Sequence, residues 1–282
     1  MRGRSSLRTG RATLALLTLS LVAIAVPTSA QTSSAQDSKR IVLVELFTSQ
    51  GCNMCPEAER NLGILARREP RIVPIAFHVD YFNKPWKDPF SDPLYSQRQL
   101  AFNTLYTKPK PAEYGLYYTP MMMIDGEQSI NGRDPAGAEA AIRRALAKKP
   151  QVILRTALEL TNDSRTGTVR IGVTPRSVLV QDRSLLVCAV LREDKVVTRV
   201  ESGENARKTL TARFPARATK YEFIELKENA EKTLSFTLAR DPSWVLENLS
   251  LAAFVQDKAT GVVYQAAEIP WKLPKRASTT QP

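Results

Sequence analysis

The 282-residue chain holds three cysteines and one histidine, too few for a disulfide-stapled fold and without the second cysteine pair that would complete a zinc site around a C-x-x-C. Its formal charge of +12 is scattered in pairs such as Arg143-Arg144 and Lys148-Lys149. No aromatic interleaving or recognition motif accompanies the basic residues, so no nucleic-acid partner is expected and the excess reads as solvated faces.

In chain order, the first feature is an export signal. Arg2, Arg4, Arg8 and Arg11 precede an apolar run from Leu14 to Val26, and Thr28-Ser29-Ala30 supplies small residues for cleavage. Residues 1–30 are therefore expected to be removed, the mature chain to begin at Gln31, and the protein to be periplasmic or secreted. Loss of the four arginines lowers the formal charge from +12 to +8. The apolar run is too short for a convincing span and no later segment approaches one, so no membrane span is expected in the mature protein. The Ser/Thr/Gln-rich residues 31–38 read as a flexible linker.

From 39 to 149 strands alternate with helices. Ile41 to Phe47 is a nearly continuous apolar run, as a central parallel strand should be. Cys52-Asn53-Met54-Cys55 follows, and a helix begins near Pro56 with Ala58, Leu62, Leu65 and Ala66 at helical spacing. Two cysteines at a helix's first turn can close a small disulfide ring, and the first points its sulfur toward free backbone N–H groups. That favours thiolate at Cys52, which would attack a substrate disulfide while Cys55 resolves the mixed disulfide.

Ile72 to Val79 is the next strand. His78 and Asp80 lie at its carboxyl end, where ligands bind in open α/β sheets, and alternation puts them on one face. They are predicted to approach the sulfurs as charge or proton partners; the alternative for His78 is a hydrogen-bonded anchor for the next loop. A long segment with Tyr81, Phe82, Trp86, Phe90 and Tyr95 then either covers the sulfurs or packs on a second domain. Asp92-Pro93 starts a helix carrying Leu94, Ala101, Phe102 and Leu105. Thr119-Pro120 leads into a strand, Met121 to Ile124, whose methionines read as core. Asp125-Gly126 turns into a short strand ending near Ile130, and Asp134-Pro135 caps a helix running through Ala147.

The second half, 150–274, is strand-like throughout: Val152 to Leu160, Thr168 to Thr174, Ser184 to Leu191, Val196 to Glu201, Tyr221 to Leu226, Thr233 to Leu238, Ser250 to Gln256 and Val262 to Ala267. Short strands at this spacing argue a β-sandwich. It holds no cluster of catalytic residue types, so recognition or support is its expected role. Cys188 sits in the apolar run Leu185 to Leu191 and reads as a core residue. Residues 275–282 read as a disordered tail.

The order of elements in 39–149, with C-x-x-C at the first helix and Thr-Pro ahead of the penultimate strand, resembles the thioredoxin-like fold. The fold class expected is thus an α/β thioredoxin-like domain followed by an all-β sandwich domain. More narrowly, Glu45-Leu46-Phe47-Thr48-Ser49-Gln50-Gly51-Cys52, Phe77-His78-Val79-Asp80-Tyr81 with Trp86-Lys87-Asp88-Pro89-Phe90, and Tyr118-Thr119-Pro120 are similar to an exported bacterial thioredoxin-like family, domain of unknown function 1223. Gly203-Glu204-Asn205-Ala206 and Ala253-Phe254-Val255-Gln256-Asp257 are similar to its C-terminal part. The resemblance implies that Pro120 follows a cis bond and lies against the sulfurs, that the Thr119 backbone pairs with bound peptide, and that Glu45 is a buried acid carrying the proton of the inner cysteine. Glu45's alternative is a carboxylate reaching solvent or pairing with a base such as Arg40.

Read together, these features point to a thiol-disulfide oxidoreductase acting on protein or peptide thiols and disulfides, with an unidentified redox recycling partner, no cofactor and no resident metal. Two alternatives stand beside it. One is a Cu(I) carrier using Cys52 and Cys55 with His78 or a methionine. The other is a non-catalytic envelope-binding protein in which the Cys pair is a structural clasp.

Overall fold

The computed structural model describes residues 31–32, 39–180, 182–227 and 230–273. The expected signal segment, 1–30, and the expected tail, 275–282, lie outside the described residues. So does most of the expected linker, but its first two residues form a strand, β1 (Gln31–Thr32), paired antiparallel with Leu158 and Ala157.

The first sheet is built from β2 (Val42–Thr48), β3 (Ile72–His78), β4 (Met121–Ile124) and β5 (Gln128–Asn131), in the order β3-β2-β4-β5. β2 and β3 run parallel, with Val42 opposite Ile72 and Thr48 opposite His78; β4 and β5 are antiparallel to their neighbours. The parallel pair requires a crossover, supplied by α1 (Cys55–Arg68). The hairpin turn between β4 and β5 places Asp125 at φ 49° and Gly126 at φ 69°, the left-handed region that asparagine-like and glycine residues tolerate. α2 (Pro93–Leu105) and α3 (Pro135–Leu146) each begin with proline behind an aspartate cap: Asp92 accepts from Leu94 N at 2.8 Å and Asp134 from Gly137 N at 2.9 Å.

Alternation along β2 divides its side chains between two cores. Val42, Val44 and Leu46 pack with Ala58 and Leu62 of α1 and Ala141 and Ile142 of α3. Leu43 and Phe47 face the other way, with Phe77, Met121 and Met123, and meet Cys188, Val190, Ala252 and Phe254 from the second half of the chain.

The second half, joined by β1, forms two antiparallel four-stranded sheets. One is ordered β1-β6-β7-β12, from β6 (Val152–Leu160), β7 (Thr166–Pro175) and β12 (Lys232–Ala239). The other is ordered β11-β8-β13-β14, from β8 (Ser184–Glu193), β11 (Ala216–Glu225), β13 (Leu249–Asp257) and β14 (Val263–Pro270). A separate hairpin joins β9 (Val196–Arg199) to β10 (Thr209–Ala212). β10 was not expected, because Thr-Leu-Thr-Ala offers only one large apolar residue to the pattern.

The sheet containing β8 and β13 is buried on both faces. Leu185, Val187, Ala189 and Leu191 share a core with β6, β7 and β12, whereas Cys188 and Val190 point at the first sheet. The molecule is thus layered as sheet, sheet, sheet, then α1 and α3. Arg192, fully buried, stitches the middle layers: it donates to the Pro74 carbonyl on β3 and to Ser250 Oγ at 3.1 Å, and pairs with Glu268 at 2.5 Å. Cys188 is a core residue whose thiol burial pushes up to about 12. Among the described residues, no helix is long and apolar enough to cross a membrane.

Candidate active site around Cys52 and Cys55

β2 ends at Thr48, and the chain turns through Ser49 to Met54 before α1 begins at Cys55 with Pro56 in its first turn. Cys52 N donates to Ser49 O at 3.2 Å and Cys55 N to Cys52 O at 3.2 Å, so the loop is wound tightly onto the helix start. Both cysteines are free thiols. Their acidities are pushed in opposite directions. The Cys55 side chain, the Thr119 hydroxyl and the amides of Met54 and Cys55 lower the Cys52 thiol to about 7 against an opposing desolvation cost. Burial, followed by the neighbouring Cys52 sulfur, lifts Cys55 well above the usual thiol range.

Thr119 sits beside the pair, its hydroxyl on Cys52, and Pro120 follows it. The bond between them is cis, as is Lys84–Pro85. Pro120 is held from behind by Gly132, whose N–H donates to its carbonyl at 3.0 Å; a Cβ at Gly132 would meet Ala58 Cβ at 2.8 Å and Pro120 Cβ at 3.1 Å. Thr119 Oγ1 is buried without an oxygen or nitrogen partner, which leaves it to the Cys52 sulfur.

The nucleophile expected to meet clients is covered. Cys52 is 1 % exposed and Cys55 is fully buried. The cover comes from the segment after β9: Asn205 Nδ2 donates to Gln50 O and to Cys52 O, both at 2.9 Å, and Lys208 Nζ holds Asn205 Oδ1 at 3.0 Å. Glu204 Oε2 accepts from Asn53 N at 2.8 Å, placing a carboxylate on a free amide at the helix start. On the other side Phe82 presses on the loop so closely that a Cβ at Gly51 would meet its carbonyl at 3.0 Å. Between the two covers lies a cavity of about 290 Å³, lined by Gly51, Tyr81, Phe82, Trp86, Gly203 and Glu204. If these two side-chain bonds hold the cover shut, Asn205→Ala raises the rate of Cys52 alkylation by roughly tenfold, the equivalent of about 1.4 kcal/mol. Equal rates in the two proteins would show that Asn205 is not the latch.

Two predicted site residues are elsewhere. Glu45 is fully buried, but alternation puts it on the face of β2 opposite the Thr48 side, and its Oε1 accepts from Arg98 Nε at 2.5 Å. It pairs with neither Arg40 nor the sulfurs; Arg40 instead pairs with Asp125 at 2.5 Å. Asp80 is tied to α2, its N–H donating to Ser96 Oγ at 3.0 Å and its carboxylate accepting from the same hydroxyl. It does not share a partner with His78.

His78 does belong to the region, with two acids the sequence reading did not select. His78 Nδ1 lies 2.7 Å from Asp88 Oδ2, and His78 Nε2 lies 3.6 Å from Glu59 Oε1. Asp88 also accepts from Gln50 N at 2.7 Å and Ser49 Oγ at 3.3 Å, and Glu59 accepts from Thr48 Oγ1 at 3.3 Å and Arg213 N at 2.8 Å. Burial raises Glu59 above the ordinary carboxyl range, partly offset by His78. Burial works against a charged His78, yet the Asp88 and Glu59 carboxylates outweigh it and the net shift is upward. Desolvation opposes the charged form of Asp88 too, but His78 and the Gln50 and Phe90 amides hold it below its usual value. The signal for Glu59 was its position: four residues after Cys55 is one helical turn, the same face. His78 is therefore not offered to the sulfurs as a metal ligand. Among the described residues, no group of three or more His, Cys, Asp or Glu is arranged to hold a metal.

A family profile described as protein of unknown function (DUF1223) matches residues 43–256. Among solved structures, an X-ray structure of a protein from Agrobacterium tumefaciens is similar at a TM-score of 0.60 and 18 % identity, over 84 % of this chain and 97 % of that one. HBP35 of Porphyromonas gingivalis is similar at a TM-score of 0.61 and 12 % identity, over 86 % of this chain and 79 % of that one. At such identities the likeness concerns the fold alone. No curated protein matches the chain.

Proposed function

The chain belongs to the family of unknown function DUF1223, and we propose that it is a thiol-disulfide oxidoreductase working through Cys52 and Cys55. The observation that carries this reading is the placement of the two thiols at the start of α1, with Cys52 against the Thr119 hydroxyl that precedes a cis proline and Cys55 sealed behind it, an arrangement that lowers the Cys52 thiol and raises Cys55. A structural clasp needs no such asymmetry, whereas an attacking and a resolving thiol do. With it goes a thioredoxin-like reading of residues 39–149, supported by the order strand, Cys pair, helix, strand, helix, Pro-led strand, hairpin strand, helix. The periplasmic or secreted setting read from residues 1–30 belongs to the same proposal.

In the reductive direction the Cys52 thiolate attacks one sulfur of a client disulfide. A Cys52–client disulfide forms, and the other client sulfur leaves as a thiolate. Cys55 loses its proton and attacks Cys52 Sγ, forming the Cys52–Cys55 disulfide and expelling the second client thiolate. Two electrons pass from the dithiol to the client, and the two client thiolates are protonated, one proton deriving from Cys55 and one from solvent. The oxidised pair runs the same steps backwards on a client dithiol. A separate redox partner returns the pair to its starting state. Thr119 touches the attacking sulfur, Pro120 is assigned to the same groove by the resemblance, and the Asn205 cover must move aside for the client.

The test is capture of the intermediate. Cys55→Ala, mixed with an oxidised disulfide peptide, is expected to accumulate a mixed disulfide at Cys52 visible by mass spectrometry, and Cys52→Ser to accumulate none. No adduct on Cys55→Ala would sink the reading.

A further inference from the structure

Cys55 must lose a proton where no water reaches. It is fully buried, and desolvation holds its thiol protonated, so its attack on Cys52 Sγ needs a base inside the protein. Thr48 is the polar side chain between it and the interior: the hydroxyl lies against the Cys55 sulfur and donates to Glu59 Oε1 at 3.3 Å. Behind Glu59 come His78, its Nε2 3.6 Å from Glu59 Oε1, and then Asp88, hydrogen-bonded to His78 Nδ1 at 2.7 Å, all of them buried.

We propose that Glu59 and His78 hold the proton that Cys55 gives up, with the Thr48 hydroxyl as bridge and Asp88 as clamp on His78. The inference rests on the oxidoreductase reading of the Cys pair. The charge count explains why this row accepts a proton. Two carboxylates against one imidazole leave the buried row net negative in either form of His78, and one added proton brings it closer to neutrality, the cheaper state in a low-dielectric interior. His78 Nε2 has no hydrogen-bond partner as it stands, being 3.6 Å from Glu59 Oε1, so the pair has room to share a proton. The other groups facing the row are Arg217, whose charge works against His78 protonation, the Arg213 amide on Glu59 Oε2, and the edge of Phe90, which packs against the His78 ring. Arg213's own guanidinium is occupied by Asp194 at 2.6 and 2.9 Å.

The Cys55 S–H bond breaks toward Thr48 Oγ1, the Thr48 O–H proton passes to the Glu59 carboxylate, and the Cys55 electron pair forms the bond to Cys52 Sγ. The client sulfur leaves with the electron pair of the broken Cys52–client bond. Asp88 meanwhile holds Gln50 N and Ser49 Oγ, so the carboxylate that orients His78 also fixes the loop bearing Cys52. Glu59 and His78 are positioning residues acting through Thr48, not groups that touch the client.

The experiment uses the full reduced chain and the aromatic disulfide 5,5′-dithiobis(2-nitrobenzoate) in stopped flow. Attack by Cys52 releases one chromophoric thiolate and attack by Cys55 releases a second. For Glu59→Gln the first release is expected to keep its rate and the second to slow by on the order of 10²-fold at pH 7, the gap narrowing as pH rises and Cys55 ionises unaided. Thr48→Val should slow the second release similarly and Thr48→Ser should restore it, a pair that stays decisive if Glu59→Gln fails to fold. Second-release rates within twofold across the variants, with the same pH dependence, overturn the relay alone. A wild-type chain that gives no second release overturns both the relay and the oxidoreductase reading.

Discussion

Arg98→Ala is expected to destabilise the protein by about 3–5 kcal/mol, because it leaves the Glu45 carboxylate buried without its counter-charge. Arg98 Nε donates to Glu45 Oε1 at 2.5 Å and its Nη1 donates to Gln256 Oε1 at 3.0 Å. Its guanidinium also lies 5.0 Å from the ring centres of both Phe102 and Phe254, so one side chain from α2 bridges β2 and β13. That junction is where the first sheet meets the doubly buried sheet of the second half, so loss of the contact is felt by both. The fall should appear as a drop in the urea midpoint with little change in the dependence on denaturant. A neutral pair, Glu45→Leu with Arg98→Met, removes both buried ions together and should recover most of the loss. A double variant as unstable as Arg98→Ala would mean that packing, not the orphaned carboxylate, sets the cost.

How far the site is legible in the sequence depends on how local each contact is. The Cys loop follows from neighbours: an apolar strand, two cysteines at helical spacing and Pro56 at the helix start place Cys55 in the first turn of Cys55–Arg68. The run Leu185 to Leu191 likewise announces a strand buried on both faces, although not that one of those faces is the first sheet. Glu45 shows where family analogy outran the pattern. Alternation from Thr48, the last residue of β2, puts residues 46 and 44 on the sulfur side and 45 with 43 and 47 on the other. Glu59 was within reach through its spacing from Cys55, but an acid beside Ala58 and Leu62 reads as the wet edge of an amphipathic helix until His78 is brought against it. Asp88 and Asn205 carry no local signal of their role. Each meets residues 49–52 across long stretches of chain, and only the folded layers supply that contact.

The cover over the sulfurs changes what the Cys52 chemistry must explain. A sulfur 1 % exposed is expected to be a poor thiolate, since desolvation favours the neutral thiol. Here the Cys55 side chain, the Thr119 hydroxyl and two backbone amides overcome that cost. On the proposed function, the thiolate would thus form while Asn205 still bonds the Cys52 carbonyl. An ordinary thiol, at about 8.5, is only a few per cent ionised at pH 7, whereas Cys52 should be about half ionised. The thiolate fraction at neutral pH is thus raised by more than tenfold.

The most direct test is the pH dependence of iodoacetamide alkylation of the reduced wild-type chain, with the modified cysteine identified by peptide mass spectrometry. Because the thiol is the acid, the rate rises with pH as thiolate forms, and the half-rise at Cys52 is expected near pH 7 with Cys55 and Cys188 unmodified. A half-rise at Cys52 at or above about pH 8.5, the value of an unassisted thiol, would contradict the account.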